Sequence, residues 1–262
     1  MVVPSTLCSN LYDFAFCPEP CYDRLVDLAD PEDWGSGNRI LKNYLSFSFS
    51  RAVYLVGRAA DHTVPSALPL VFDDERCLFN TGLYTRRYET IYALFEPNTR
   101  PDARQRWFLK GFFKESDPAL VAFEYLPCRV HFAEDPSQLV FDYRLPIRCN
   151  IDHILGDEEN LTRIPEALMG EENSLLLRRA FEGAVVEAAR RAAANYTLAV
   201  PQFYGGRIQL LLPLCLTGDK PELALAVQRE DGFYSARTCL TIEMAYNNAR
   251  LICRPETSWI KR

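Results

Sequence analysis

The chain has 262 residues, 48% of them apolar and 24% charged, with a formal net charge of −6. That is enough apolar side chain for a sizeable core, in one large domain or two small ones. The negative balance argues against a surface that coats nucleic acid or anionic membrane broadly, but it allows a local basic groove. No apolar run reaches the ~18 residues of a membrane span. The start, Met1-Val-Val-Pro-Ser-Thr6, lacks a basic segment followed by a sustained apolar stretch, so a cytoplasmic protein without a secretory leader is expected.

In chain order, residues 1–37 read as an N-terminal extension, with a short helix from Tyr22 to Ala29. Residues 38–262 read as a single α+β domain. Asn38 is a candidate N-cap for a helix to about Ser50, with Ile40, Leu41, Tyr44, Leu45 and Phe49 at helical spacing. From Tyr54 to Leu155 the period shifts toward two. Strands are predicted at Leu68–Phe72, Arg76–Phe79, Glu89–Phe95, Arg106–Phe113, Arg129–Phe132 and Leu139–Tyr143. A long amphipathic helix follows at about 171–196, its apolar face formed by Leu177, Phe181, Ala184, Val185, Ala188 and Ala192. Further strands are predicted at Arg207–Leu212, Leu223–Val227 and Thr238–Ile242, then a short C-terminal helix over Glu243–Ile252. The expected architecture is a mostly antiparallel sheet with the long helix packed on it.

The nine cysteines are odd in number and scattered. They read as buried free thiols, and no metal site is expected. Phosphate-loop, dinucleotide and nucleophile-elbow motifs are absent. Of the three histidines, His153 in Asn150-Ile-Asp-His-Ile-Leu155 is the candidate acid–base group. His131 reads as the solvated face of a strand and His62 as a loop residue. The Gly205-Gly206 pair reads as a tight turn feeding the Ile208 strand.

Three polar features stand out. Asn80 and Thr81 end a predicted strand, where they would either bind a ligand or cap a turn. Gln209 interrupts an apolar strand, while Asn247, Asn248 and Arg250 interrupt an apolar helix, with Arg254 beyond. Buried polar groups of this kind need partners, at about 1–3 kcal/mol each if left without them. On a helix Asn247 and Asn248 point about 100° apart, and Asn248 lies on the face of Met244 and Leu251. Finally, Tyr84–Lys114 carries seven bases, including Arg86, Arg87, Arg104, Arg106 and Lys110, against three acids. Tyrosines, phenylalanines and a tryptophan are interleaved, the composition that single-stranded nucleic acid needs. A sheet with a solvated face has the same composition.

Phe79-Asn-Thr-Gly-Leu83, Asn150–Leu155, Asn195-Tyr196, Pro201–Tyr204, Gln209–Leu214 and above all Met244-Ala-Tyr-Asn-Asn-Ala-Arg250 carry a family resemblance. Over these segments the chain resembles a bacterial family known as domain of unknown function 3825. The resemblance implies proximity to RNA work, since members are joined to cold-shock-type OB or OST-HTH domains. It implies no reaction and no cofactor. The expected function is binding of RNA or a nucleotide in an amide- and arginine-lined pocket. The alternatives are an enzyme acting on a nucleotide or RNA phosphate end, and a scaffold without catalysis.

Overall fold

The computed structural model describes residues 7–59, 68–73 and 75–260; His62 lies outside them. The chain divides into two compact units, Met1–Val130 and His131–Arg262. The class is α+β, with the strands shared between two five-stranded sheets. Each sheet is antiparallel except for one short parallel edge strand.

In the first unit the elements run α1 (Leu11–Phe14), β1 (Ala15–Phe16), α2 (Glu19–Leu28), α3 (Arg39–Arg58), β2 (Leu70–Phe72), β3 (Cys77–Tyr84), β4 (Thr90–Pro97) and β5 (Trp107–Lys114). The sheet order is β1-β5-β4-β3-β2. Helix α3 runs eight residues past the predicted end, because Ala52, Val53 and Val56 continue its buried stripe. Phe49 on that stripe meets Phe79 at 5.5 Å and Phe95 at 6.2 Å. Asn38 does not cap the helix with its side chain. It takes a left-handed conformation, φ 56°, and its amide donates to Asp23 instead.

The second unit contains β6 (Ile147–Cys149), α4 (Ile151–Gly156), α5 (Glu158–Leu161), α6 (Ser174–Ala194), β7 (Val200–Tyr204), β8 (Arg207–Leu214), β9 (Leu223–Arg229), β10 (Tyr234–Thr241) and α7 (Ile242–Arg250). Its sheet order is β6-β10-β9-β8-β7. Helix α6 buries the six residues that its 3–4 spacing predicts. They pack on Leu210, Leu212, Leu214, Leu223, Leu225 and Val227, one face of the sheet. Helix α7 packs against β7, β9 and β10, and its hydrogen bond to Gln202 sets it on the opposite face. The strands predicted at 129–132 and 139–143 do not form. Asp135 caps a 3-10 turn that starts at Pro136, and Phe141 is drawn into a stack on Tyr234 at 4.8 Å. Among the described residues no helix is long and apolar enough to cross a membrane.

A bulge in β3 shapes the first sheet. Asn80 pairs with Tyr92 and Tyr84 with Thr90, so two extra residues are absorbed between them. Gly82 takes φ 71°, and a Cβ there would stand 2.5 Å from the Tyr44 hydroxyl. That hydroxyl donates to the Thr81 carbonyl at 2.8 Å. Gly82→Ala is therefore expected to cost roughly 2–4 kcal/mol, the sum of backbone strain and overpacking. In a Tyr44→Phe background the same change should cost about 1 kcal/mol less, a coupling that urea denaturation of the four proteins measures.

Candidate functional site

Five polar residues line up across the second sheet. Gln202 pairs with Gln209, and the antiparallel register of β8 and β9 sets Gln209 opposite Gln228. Gln228 pairs with Ser235, and Ser235 with Arg148. Residues directly opposite in a ladder share a face. A polar rank thus crosses all five strands on the face that α7 covers.

Four amides in this region form one chain of hydrogen bonds. Asn248 Nδ2 donates to Gln202 Oε1 at 3.0 Å, and Gln202 Nε2 to Gln209 Oε1 at 2.8 Å. Gln209 Nε2 donates to Gln228 Oε1 at 3.4 Å, and Gln228 Nε2 to Glu230 Oε1 at 3.0 Å. The direction has a physical cause. An ionised carboxylate only accepts, so Gln228 must present its NH2 to Glu230, and each amide behind it is turned the same way. The chain starts at the half-buried Asn248, passes through Gln202, which is 2% exposed, and ends at the half-exposed Glu230.

Helix α7 starts at Thr241, whose hydroxyl accepts from Met244 N–H at 3.2 Å. It buries Ala245, Tyr246, Ala249 and Arg250. Arg250 is only 5% exposed, while Arg254 stands in solvent. Asn247 and Asn248 separate as their helical phase requires: Asn248 heads the amide chain, and Asn247 Oδ1 is buried without a hydrogen-bond partner among the described residues.

The other candidates sit elsewhere in the fold. Asn80 Nδ2 donates to the Pro127 carbonyl at 2.8 Å and its Oδ1 accepts from Gly82 N–H at 2.9 Å. Thr81 Oγ1 donates to the Ile91 carbonyl at 2.5 Å and accepts from Leu83 N–H. Both side chains hold the bulge. His153 is exposed in the first turn of α4, where its N–H donates to the capping Asn150. Its ring makes no hydrogen bond among the described residues, and the neighbouring Asp152 pairs with Arg178. His131 is exposed and lies outside any strand.

Three of the seven bases of the basic stretch are ion-paired. Arg104 pairs with Asp13 at 2.7 Å, Lys110 with Glu96, and Lys114 with Glu89 at 3.2 Å. Arg106 lies 5.9 Å from the Trp107 ring centroid and Arg100 6.0 Å from that of Phe16. Arg86 and Arg87 differ. They are exposed on the turn between β3 and β4 and make no ion pair among the described residues. Tyr88 N–H closes this turn on the Thr85 carbonyl at 2.9 Å, and Thr85 Oγ1 accepts from Arg87 and Glu89 N–H. Tyr88 has φ 63° and is 84% exposed, while Tyr84 is 37% exposed.

No group of three or more potential metal ligands occurs among the described residues, and the cysteines there are free. Burial pushes the Cys17 thiol up to about 12 and the Cys149 and Cys239 thiols to about 11. These thiols are protonated packing groups rather than nucleophiles.

Sequence reasoning missed Gln202, Gln228 and Glu230. A usable signal was present. A two-residue turn at Gly205-Gly206 forces Gln202 opposite Gln209.

Two five-stranded sheets with helices packed on them, the second with a polar rank under the C-terminal helix, are thus the class of structure. Residues 25–259 match the model of the family described as Domain of unknown function (DUF3825), and the chain belongs to that family. No curated protein and no solved structure matches it.

Cutting the amide chain in the middle should cost more than trimming its end. Gln209→Ala strands a donor of Gln202 and an acceptor of Gln228, for roughly 1–3 kcal/mol, whereas Glu230→Ala at the wetter end should cost about 0.5–1 kcal/mol. Urea midpoints at constant slope give the comparison.

Proposed function

We propose that this protein binds single-stranded RNA, with the turn Tyr84-Thr-Arg-Arg-Tyr88 as its point of contact. The observation that carries this is Tyr88: a bulky residue in the left-handed region, 84% exposed, beside two arginines that make no ion pair among the described residues. A non-glycine residue at positive φ costs about 1–2 kcal/mol, and Tyr88 recovers none of it by burial. An exposed ring held out at that cost suits stacking on a base, worth about 1–3 kcal/mol. The adjacent guanidinia suit phosphates. A net charge of −6 confines such binding to a local patch. The family resemblance of the 240–250 block supports RNA over other anionic polymers.

A second reading, nucleotide binding at α7, has its own support in the orphaned Asn247 Oδ1 and the buried Arg250. On a helix these residues are neighbours, three positions apart. An amide oxygen accepts from base or ribose donors, and a guanidinium favours phosphate. The enzyme reading is weaker, because the His153 ring is exposed and makes no hydrogen bond among the described residues. Mass spectrometry of ligand released from the purified protein separates the nucleotide reading from RNA binding.

A fluorescent single-stranded oligoribonucleotide titrated at low salt tests the proposal. Tyr88→Gly should raise stability by about 1 kcal/mol by removing the backbone strain, yet weaken RNA binding by about tenfold. Arg86→Ala with Arg87→Ala should lower the slope of log K against log salt by about 1.4, two single-strand phosphate contacts. Absence of binding at low salt sinks the proposal, as does binding that Tyr88→Gly leaves unchanged.

A further inference from the structure

Helix α6 has a second face that its core stripe leaves in solvent. An open trough of about 590 Å3 runs along it, lined by Arg179, Glu182, Gly183, Val186, Glu187 and Arg190. Val186 is 51% exposed, and toward the N-terminal end Leu175 and Leu176 are 56% and 54% exposed. These side chains put apolar surface among the charges of one exposed helix face.

The order of the charges on this face is the same read from either end. Arg179 and Arg190 are eleven residues apart, just over three turns, so they share one line along the helix. Glu182 and Glu187 flank that line on opposite sides, and Gly183 and Val186 lie at its centre. Beyond the charges, Leu175 and Leu176 at one end are matched by the exposed Ala193 and Ala194 at the other.

We infer that α6 pairs antiparallel with α6 of a second copy of this chain, about a two-fold axis at the level of Ala184 and Val185. That axis sets Arg179 level with the partner's Arg190, and brings Glu182 and the partner's Glu187 to either side of them. Two guanidinia and two carboxylates alternate at each end of the contact. Leu175 and Leu176 fall on the partner's Ala193 and Ala194, large against small. At the crossing, Gly183 has no atom within 4 Å of where its Cβ would stand, so the helix backbone itself is open to close approach.

The charges support this occupant. Arg179 and Arg190 have no ion pair among the described residues. Glu182 and Glu187 are each held from the flank, by Arg178 at 3.1 Å and Arg191 at 3.4 Å, which fixes the carboxylates beside the line of contact. A symmetric interface uses one patch twice and must be self-complementary. One helix pair is small for an interface, so a micromolar dimer is expected.

Analytical ultracentrifugation of the full chain over a concentration series tests this. The wild type should dimerise, more weakly in high salt. An all-acidic stripe, Arg179→Glu with Arg190→Glu, should be monomeric alone, as should an all-basic stripe, Glu182→Arg with Glu187→Arg. Mixed one to one, the two variants should form a heterodimer at least as tight as the wild-type pair, an outcome that misfolded variants cannot give. Gly183→Gln, which meets no clash within the monomer, should weaken the dimer on the order of tenfold. A wild type that stays monomeric overturns the inference. So do variants that dimerise alone as the wild type does, a mixture that stays monomeric, or a Gly183→Gln dimer of unchanged affinity.

Discussion

The register of the β7–β8 hairpin decides what the second sheet can carry. Gly205 and Gly206 take φ 58° and 80°, the two left-handed positions that a two-residue hairpin needs. With that turn in place Tyr204 faces Arg207 and Gln202 faces Gln209. A slip of one residue would turn Gln202 and Gln209 into the core under α6 and move Leu210, Leu212 and Leu214 to the other face. Burial of Leu210, Leu212 and Leu214 on one side therefore forces the glutamines onto the other. The amide chain follows from a core-packing constraint, and Glu230 at its end gives it direction.

The polar groups of the molecule divide by whether their capacity is filled. Asn80 and Thr81 spend theirs on a bulge, as Gln202, Gln209 and Gln228 do on one another. Filled groups rigidify; they have little left to offer a ligand. The basic stretch divides in the same way, with Arg104, Lys110 and Lys114 matched to acids and Arg86 and Arg87 left open. Among the described residues Asn247 Oδ1 has no hydrogen-bond partner and Arg86 and Arg87 no ion pair, and these are the candidates for function.

Much of the fold was legible because periodicity is local. The buried face of α6 follows from 3–4 spacing alone, and the main strands follow from alternation closed by Asn, Asp and Gly. Errors arose where a distant partner decides. Arg129–Phe132 and Leu139–Tyr143 alternate like strands, but they pair with no strand among the described residues, and Phe141 answers to Tyr234 ninety-three positions on. The site was half legible. Gln209, Asn248 and Arg250 announced themselves as polar residues in apolar runs. Gln202 lies in a short five-residue strand and Gln228 one residue from the end of its own, and neither amide stands out until the register is known. The helical phase separated Asn247 from Asn248 correctly, since a 100° step leaves room for only one of them on Gln202.

Tyr88 shows why composition could not rank the cations on its own. Seven bases and interleaved rings describe both a packed sheet and a nucleic-acid surface. What separates them is the state of each group: Trp107 is buried in the sheet, whereas Tyr88 is held in solvent by a backbone conformation that glycine would adopt at lower cost. A turn of this shape gains nothing for folding from a tyrosine there. Strain that folding does not explain is the mark of a site whose gain comes on binding, and it is what supports the proposed stacking of a base on Tyr88, beside Arg86 and Arg87, which make no ion pair among the described residues.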